Sequence, residues 1–426
     1  MSHEMFSREE LAGYSREALA QAVIVLIGAG ALSNNVVQNA ALAGFGEVRI
    51  VDYDVIEPSN ATRSPLFRRA VALRGKRRTK ARELALAALD HSYAESPVVR
   101  YAVSKFEALG LGALTGADVI VSAVDSFGAR ARVSEMATLL GIPLIEGGFS
   151  GSQGHIAVFP NDTAEAPCYR CVNSRADAGG LSCTLYARGV LAEGKIPATQ
   201  TIAALTGAYV AEAAIRTVCP GGSPLAGKLL SFDVLEGSGH RLNLRRDPEC
   251  LGGHRRIGEV EAVPVSADDT LGDLFDALDG LGEPAVILPS EYLVSAPCAR
   301  CQRRVFVHKP EWAVLEAPTC DTCGPTCEES LSPLVVATSV SPKDPLARRR
   351  CRKLGLPPLA IVEVRDDSTG TSRWVQLSGS IKDLFVTRTR RADAHDSAGG
   401  DDASSELSEF HPVPSVAGAT TGPLDA

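Results

Sequence analysis

The stretch IVLIGAGALSNN at residues 24–35 leaves the chain little freedom. An apolar run that stops at Gly-x-Gly and resumes as a helix is the first turn of a βαβ nucleotide-binding unit, where backbone N–H groups and a helix N-terminus face an anion. Gly28 makes the turn and Gly30 lets a phosphate approach. Ser33 stands where the dinucleotide fingerprint has a third glycine; it is small enough for close packing and can cap the helix. The second strand ends on Asp52, the place of a ribose-binding acid. This much suits a dinucleotide enzyme, a methyltransferase and an ATP user equally.

Strand and helix patterns alternate through the first 150 residues, with strands at 22–27, 47–51, 118–123 and 143–146 and helices near 33–43, 79–89 and 128–140. That rhythm predicts a parallel sheet covered by helices on both faces. GHIAVFP at 154–160 adds a strand, the Ala-rich stretch Gln200–Val218 a long packed helix, and KLLSFDV with HRLNLRR a closing antiparallel pair. Beyond His254 helical periodicity weakens; residues 354–385 read as a hairpin turning at DDSTGT. From about 389 the Ala/Ser/Asp/Gly/Pro composition reads as disorder.

With 426 residues, 45% hydrophobic, the chain has room for two or three soluble domains. Its N-terminal stretch carries acids and no apolar core of signal-peptide length, and the longest apolar candidate, 201–218, is interrupted by Glu212, so no membrane span is expected. The net charge of −8 is unevenly spread: the last 36 residues hold seven acids and one Arg, whereas residues 68–82 are strongly basic. That basic run follows a nucleotide fold directly, so phosphates of a small ligand are its expected target and nucleic acid is not. Of eleven cysteines, six fall in three Cys-x-x-Cys pairs, which without a secretory signal argues for zinc and thiol chemistry in a reducing cytoplasm.

What discriminates among nucleotide users lies downstream. DYDVIEPSNATR supplies Asp52, Asp54, Ser59, Asn60 and Arg63; Lys76 and Lys80 follow, then Asp125 in AVDSFGARAR. Hydride transfer has no use for such a gathering round the phosphates. Nucleotidyl transfer from ATP does: cations neutralise charge on the α-phosphate and the departing pyrophosphate, and an acid holds magnesium.

These motifs, with IEGGFSGSQGHIAVF and APCYRC in the same order, resemble the ubiquitin-activating-enzyme-like superfamily that includes ThiF, MoeB and HesA, over residues 1 to about 254. The resemblance implies a homodimer or pseudo-dimer that binds MgATP and adenylates the C-terminal carboxylate of a ubiquitin-like or sulfur-carrier protein ending in Gly-Gly. It makes Asp52 the ribose binder, Asn60 and Arg63 the phosphate-facing pair and Asp125 the magnesium acid. Lys76 and Lys80 both fit the family lysine; Lys80 has the better following helix. Arg8 in MFSRE resembles the arginine that reaches into the partner's site, with Arg16 in YSRE as its rival. Other readings are adenylation of a peptide or of a modified tRNA nucleoside carboxylate, and a non-catalytic scaffold that binds nucleotide or a ubiquitin-like protein.

Cys168 and Cys171 have zinc-ligand spacing. The family completes such a site with a second Cys-x-x-Cys, and here RDPECLGGH offers Cys250 but Gly253, with His254 one residue beyond to close a Cys3His set. Cys298, Cys301, Cys320 and Cys323 form CxxC-x18-CxxC, a zinc-ribbon spacing with four thiolates and no open position. Cys183 stands apart from all pairs, in the stretch where relatives that form a thioester keep their reactive cysteine. The expected fold class is thus α/β: a Rossmann-like ATP-binding domain with a mixed sheet (1–254), an accessory module with zinc-ribbon pairs and a β hairpin (255–388), and a disordered acidic tail (389–426).

Overall fold

The computed structural model describes residues 5–73, 78–173, 197–298, 300–314, 320–324 and 335–390. Lys76, Cys183 and the tail from 391 therefore lie outside the described residues.

β1 (Val23–Ile27) is apolar at every position and nearly all of it is buried, as a strand covered on both faces must be. It passes through Gly28–Gly30 into α1 (Ala31–Ala43), which stops at Gly44 in the left-handed region. β2 (Glu47–Val51), α2 (Lys80–His91), β3 (Val98–Ala102), β4 (Val119–Ser122) and α3 (Phe127–Leu140) follow. Ser126 caps α3 by accepting from the Ala129 N–H, and Gly141 ends it. β5 (Leu144–Ser150), β6 (Gln153–Phe159), α4 (Gln200–Val218), β7 (Lys228–Asp233) and β8 (Ser238–Asn243) complete the N-terminal part. The order β3-β2-β1-β4-β5 is parallel, and β6, β7 and β8 extend it antiparallel. The chain reverses direction across the sheet between β1 and β4, so a crevice opens at the carboxyl ends of those strands, where Gly28–Gly30 sit.

β3 is absent from the sequence expectation because Arg100 interrupts its apolar run. Arg100 is accommodated by charge: its Nε donates to Glu47 Oε1 at 2.8 Å, and the same oxygen accepts from Arg49 Nε at 2.6 Å. Arg49 is buried and donates further to the carbonyls of Ala113 (3.1 Å) and Thr115 (2.9 Å).

After His254, where a β hairpin and a small β-rich segment are expected, the chain builds a second sheet. β9 (Val260–Ser266), α5 (Leu271–Asp276), β10 (Pro284–Pro297), β11 (Arg304–Pro310), β12 (Val335–Val340), β13 (Ile361–Asp366) and β14 (Thr371–Ser378) pair as β11-β10-β13-β14-β9, with β12 also on β10. β13 and β14 are the expected hairpin, turning at residues 367–370. This sheet has its own core, built around Leu271, Leu274, Tyr292, Val364 and Val375. The last strand, β15 (Val386–Thr389), leaves it and pairs antiparallel with β3, so residues 386–389 form an edge of the first sheet. Arg390 then donates to the carbonyls of Leu89 and Ser92 at the end of α2.

Glu47 serves two guanidinium groups, the buried Arg49 and the part-buried Arg100, so Glu47→Ala is expected to lower unfolding free energy by about 3 kcal/mol, the scale of a buried ion pair broken on one side. Chemical denaturation measures it, and Glu47→Gln should lose less because it keeps an acceptor.

Candidate functional site

The glycine turn is fixed from three sides. The Gly28 N–H donates to the Val51 carbonyl at 2.8 Å, and the Ala123 N–H donates to the Ile27 carbonyl at 2.9 Å. Gly28 has φ +99°, and a Cβ there would lie 2.6 Å from the Ala123 carbonyl oxygen, so only glycine fits. A Cβ at Gly30 would meet no atom within 4 Å: the space above the helix N-terminus is open to a ligand. Ser33 is buried and its Oγ donates to the Gly28 carbonyl at 2.6 Å, bracing the turn from inside the first helical turn.

Asp52 ties this turn to the next segment. Its Oδ2 accepts from the Ala29 N–H at 2.6 Å and its Oδ1 from the Asp54 N–H at 2.7 Å. Burial pushes its carboxyl above the usual range, with the Lys80 charge and the amides opposing. Asp54 in turn holds Lys80, whose Nζ lies 2.7 Å from Asp54 Oδ2, and the Lys80 N–H bonds the Asp54 carbonyl at 2.9 Å. Lys80 is thus the first residue of α2 and is aimed at the segment after β2.

Asn60 is buried in a single 3-10 turn, Pro58–Asn60, with Oδ1 accepting from the Glu57 N–H at 2.9 Å. Arg63 follows, its Nη1 donating to the Ser59 carbonyl at 2.9 Å. Asp125 is exposed in the turn between β4 and the α3 cap. Tyr53 connects the acids: after burial, the charges of Asp54, Asp125 and Asp52 push its phenol up. The Lys105 Nζ stands 5.8 Å from the Tyr53 ring centroid and donates to the Trp312 carbonyl at 2.7 Å, so the accessory module reaches the rim of this crevice. Beside Asp52 a small apolar pocket is lined by Ile27, Val51, Phe106, Leu114, Val133 and Met136.

Some residues that position the site carry no sequence signal. Asn34 is fully buried in α1; its Nδ2 donates to the Gly30 carbonyl at 2.9 Å while its Oδ1 accepts from the Leu66 N–H at 3.1 Å, joining the glycine turn to the segment that carries Asn60 and Arg63. Glu146, buried on β5, pairs with Arg130 and with His155 Nε2 at 3.1 Å. Burial and the Arg130 charge pull His155 down to about 4, so it is neutral near pH 7. Of the two N-terminal arginines, Arg16 lies over the Phe6 ring and donates to the Ala43 carbonyl at 2.8 Å, whereas Arg8 is exposed in the short helix Ser7–Leu11.

The thiols gather as the spacing suggests, in two groups of four ligands. In the first, Cys168 Sγ lies 3.8 Å from Cys171 Sγ and 3.6 Å from Cys250 Sγ, and Cys171 Sγ lies 3.2 Å from His254 Nε2. Tetrahedral zinc with Zn–S bonds of about 2.3 Å separates its sulfurs by about 3.8 Å, so this donor set fits the ion. His254 is delivered by two successive left-handed residues, Gly253 at φ 72° and His254 itself at φ 47°. In the second, Cys298 and Cys301 lie on one tight turn and Cys320 and Cys323 on another, closed by Gln302 N–H to the Cys298 carbonyl and Gly324 N–H to the Cys320 carbonyl, both 2.7 Å; across the turns Cys298 and Cys323 are 4.0 Å apart and Cys301 and Cys320 3.6 Å. No helix among the described residues is long and apolar enough to cross a membrane.

The ThiF family model matches residues 5–252. The sulfur carrier protein adenylyltransferase of Thermus thermophilus is 33% identical over 254 residues, which cover 58% of this chain and 88% of that protein. The adenylyltransferase and sulfurtransferase MOCS3 of Mus musculus is 31% identical over 258 residues, 58% of this chain and 53% of that protein, so the chain spans about half the length of this relative. Among solved structures, E. coli MccB with MccA-N7isoASN superposes with a TM-score of 0.50 at 19% identity, over 60% of this chain and 75% of that one, a likeness of fold.

The two turn glycines should separate in a stability measurement. Gly28→Ala, with its Cβ against a carbonyl at positive φ, is expected to cost about 2–3 kcal/mol. Gly30→Ala should stay within about 0.5 kcal/mol of wild type, since its Cβ would meet nothing within 4 Å and its φ is not positive, and Ser33→Ala should lose about 1 kcal/mol with its hydrogen bond. Denaturant melts of the three variants check the order.

Proposed function

The chain belongs to the ThiF family and is an adenylyltransferase, and from that premise we propose that it adenylates the C-terminal carboxylate of a ubiquitin-like or sulfur-carrier protein ending in Gly-Gly. The observation that carries this reading is the juxtaposition at one crevice of an open helix N-terminus at Gly30, the Asp52 carboxylate, and Lys80 held by Asp54. The name of the Thermus thermophilus relative supports the substrate class.

ATP lies with its phosphates over Gly28–Gly30 and its ribose on Asp52. The substrate carboxylate is ionised at neutral pH and needs no general base. Its oxygen attacks the α-phosphorus, a carboxylate O–P bond forms, the bond to the β-phosphate oxygen breaks, and pyrophosphate leaves. Lys80, Arg63 and Asn60 stabilise the charge on the transferring and departing phosphates. Lys76 is the alternative to Lys80, but only Lys80 lies within the described residues. Asp125, exposed at the mouth, is a hard oxygen donor suited to magnesium, which would neutralise phosphate charge. Cys183 takes the acyl group from the adenylate as a thioester, releasing AMP, and Arg8 acts in trans in a homodimer. Leu205 and Tyr209 on α4, with Val234 and Leu235 just beyond β7, are exposed apolar side chains that a second copy would cover. Cys168, Cys171, Cys250 and His254 would hold one zinc ion and Cys298, Cys301, Cys320 and Cys323 a second, each as a structural ion with no open position.

Exchange of labelled pyrophosphate into ATP in the presence of Gly-Gly-ending carrier proteins tests the reaction. Asp125→Ala is expected to abolish exchange and Lys80→Ala to slow it about 10²–10³-fold, the usual loss of one preorganised charge stabiliser. ATP binding without exchange on any carboxylate would sink the enzymatic reading in favour of a scaffold, and intact mass should show a thioester adduct lost in Cys183→Ser. For the metal, elemental analysis should give two zinc per chain, with Cys171→Ser and His254→Ala each reduced to one after dialysis against a chelator; retention of the full complement in His254→Ala would remove the imidazole from the ligand set.

A further inference from the structure

The chain as a whole is acidic, at −8, yet its accessory sheet is locally basic. Between Cys298 and Pro310 stand Arg300, Arg303, Arg304 and Lys309 with no acid, and residues 343–353 hold six Lys or Arg against the single Asp344; of these Arg352 is taken up by Asp268 through two hydrogen bonds of 3.0 Å, and five remain. The short turn Cys351–Leu354 packs against β11, which brings these runs side by side.

Into this field β11 sets an aromatic platform. Its register on β10 slips: Lys309 faces Leu293 and Phe306 faces Ser295, one residue too many on β11. His308 absorbs the extra residue at φ 51°, a left-handed conformation that costs a non-glycine residue about 1 kcal/mol or more. Alternate side chains of a regular strand stand about 7 Å apart. Here the Phe306 and His308 rings are stacked, 5.4 Å between centroids at 11°. Phe306 is nevertheless 61% exposed, and His308 Nδ1 is buried with no hydrogen-bond partner among the described residues. Arg304 shares the exposed side of the strand with Phe306, and Arg349 is close enough that its charge, after burial, holds the His308 imidazole below its ordinary range. An outward Phe306 ring, braced by a His308 in the left-handed region, has no packing role that would explain it.

We propose that this face of the accessory sheet binds single-stranded nucleic acid, with phosphates on Arg304 and on the cations of 343–353 other than Arg352, and a base stacked on Phe306. A cationic track with an aromatic platform is how proteins hold single strands. An acidic protein partner would call on the charges alone, so the ring decides between them. The basic run at 68–82, directed to the nucleotide crevice, is a separate surface.

Fluorescence anisotropy of the zinc-loaded full chain with labelled oligo-U and oligo-dT of about twelve nucleotides tests it, over a salt series. Binding below about 100 μM at low salt is expected. Phe306→Ala should weaken it about tenfold with the salt slope unchanged, and Arg304→Gln should reduce the log–log slope by about 0.7. Preference for oligo-U assigns the site to RNA, and equal affinity assigns it to single strands of either sugar; both support the proposal. No binding up to that concentration, wild-type affinity in Phe306→Ala, or displacement by polyglutamate as effective as by unlabelled oligonucleotide would overturn it, the last pointing to an acidic protein surface. Phe306 is exposed, so the variant should fold; unchanged zinc content and pyrophosphate exchange verify that.

Discussion

The carboxylate of Asp52 holds the crevice together. One oxygen takes the Ala29 amide of the glycine turn and the other the Asp54 amide beyond β2. Through Asp54 the same segment fixes Lys80 at the start of α2, so the turn, the second strand and the second helix share one anchor. Burial raises the carboxyl of Asp52, which means that keeping it ionised works against folding. The fold tolerates this because no neutral side chain offers two acceptor oxygens in that geometry.

The first half of this architecture was legible because its code is simple. β1 and β2 are continuous apolar runs, and α4 begins and ends where its Ala-rich pattern does. β3 was not legible, since Arg100 breaks its pattern and only the fold shows that Glu47 neutralises it. The accessory sheet was hidden for a related reason. β10 runs through Pro289 with register shifts against both β11 and β12, so no single period describes it. At the candidate site, the residues proposed to meet a ligand were named from motif order, but Asn34, which joins Gly30 to Leu66, could not be: a buried amide in a helix looks like any other polar position. His254 was within reach because it is displaced by one place from an expected cysteine, yet the two left-handed residues that swing it toward Cys171 belong to the backbone alone.

The accessory sheet does not stand away from the crevice. Lys105 spans from the Tyr53 ring to the Trp312 carbonyl, Gly112 leaves room for the Leu359 carbonyl 2.1 Å from where its Cβ would be, and Arg255 grips Glu363 with two hydrogen bonds of 3.0 and 2.8 Å. The loop between β3 and β4, which lines the apolar pocket, is therefore packed from both sides, and anything that shifts the second sheet is felt at the pocket wall.

β15 gives this arrangement a topological meaning. Because the chain returns from the second sheet to pair with β3, that sheet is inserted within the first and tethered at both ends. Excising everything after His254 would strip β3 of its neighbour and leave the row of N–H and C=O groups from Val98 to Tyr101 facing water, an open edge ready to recruit strands from other molecules. The two halves are in that sense one solubility unit, whatever division of labour their chemistry follows.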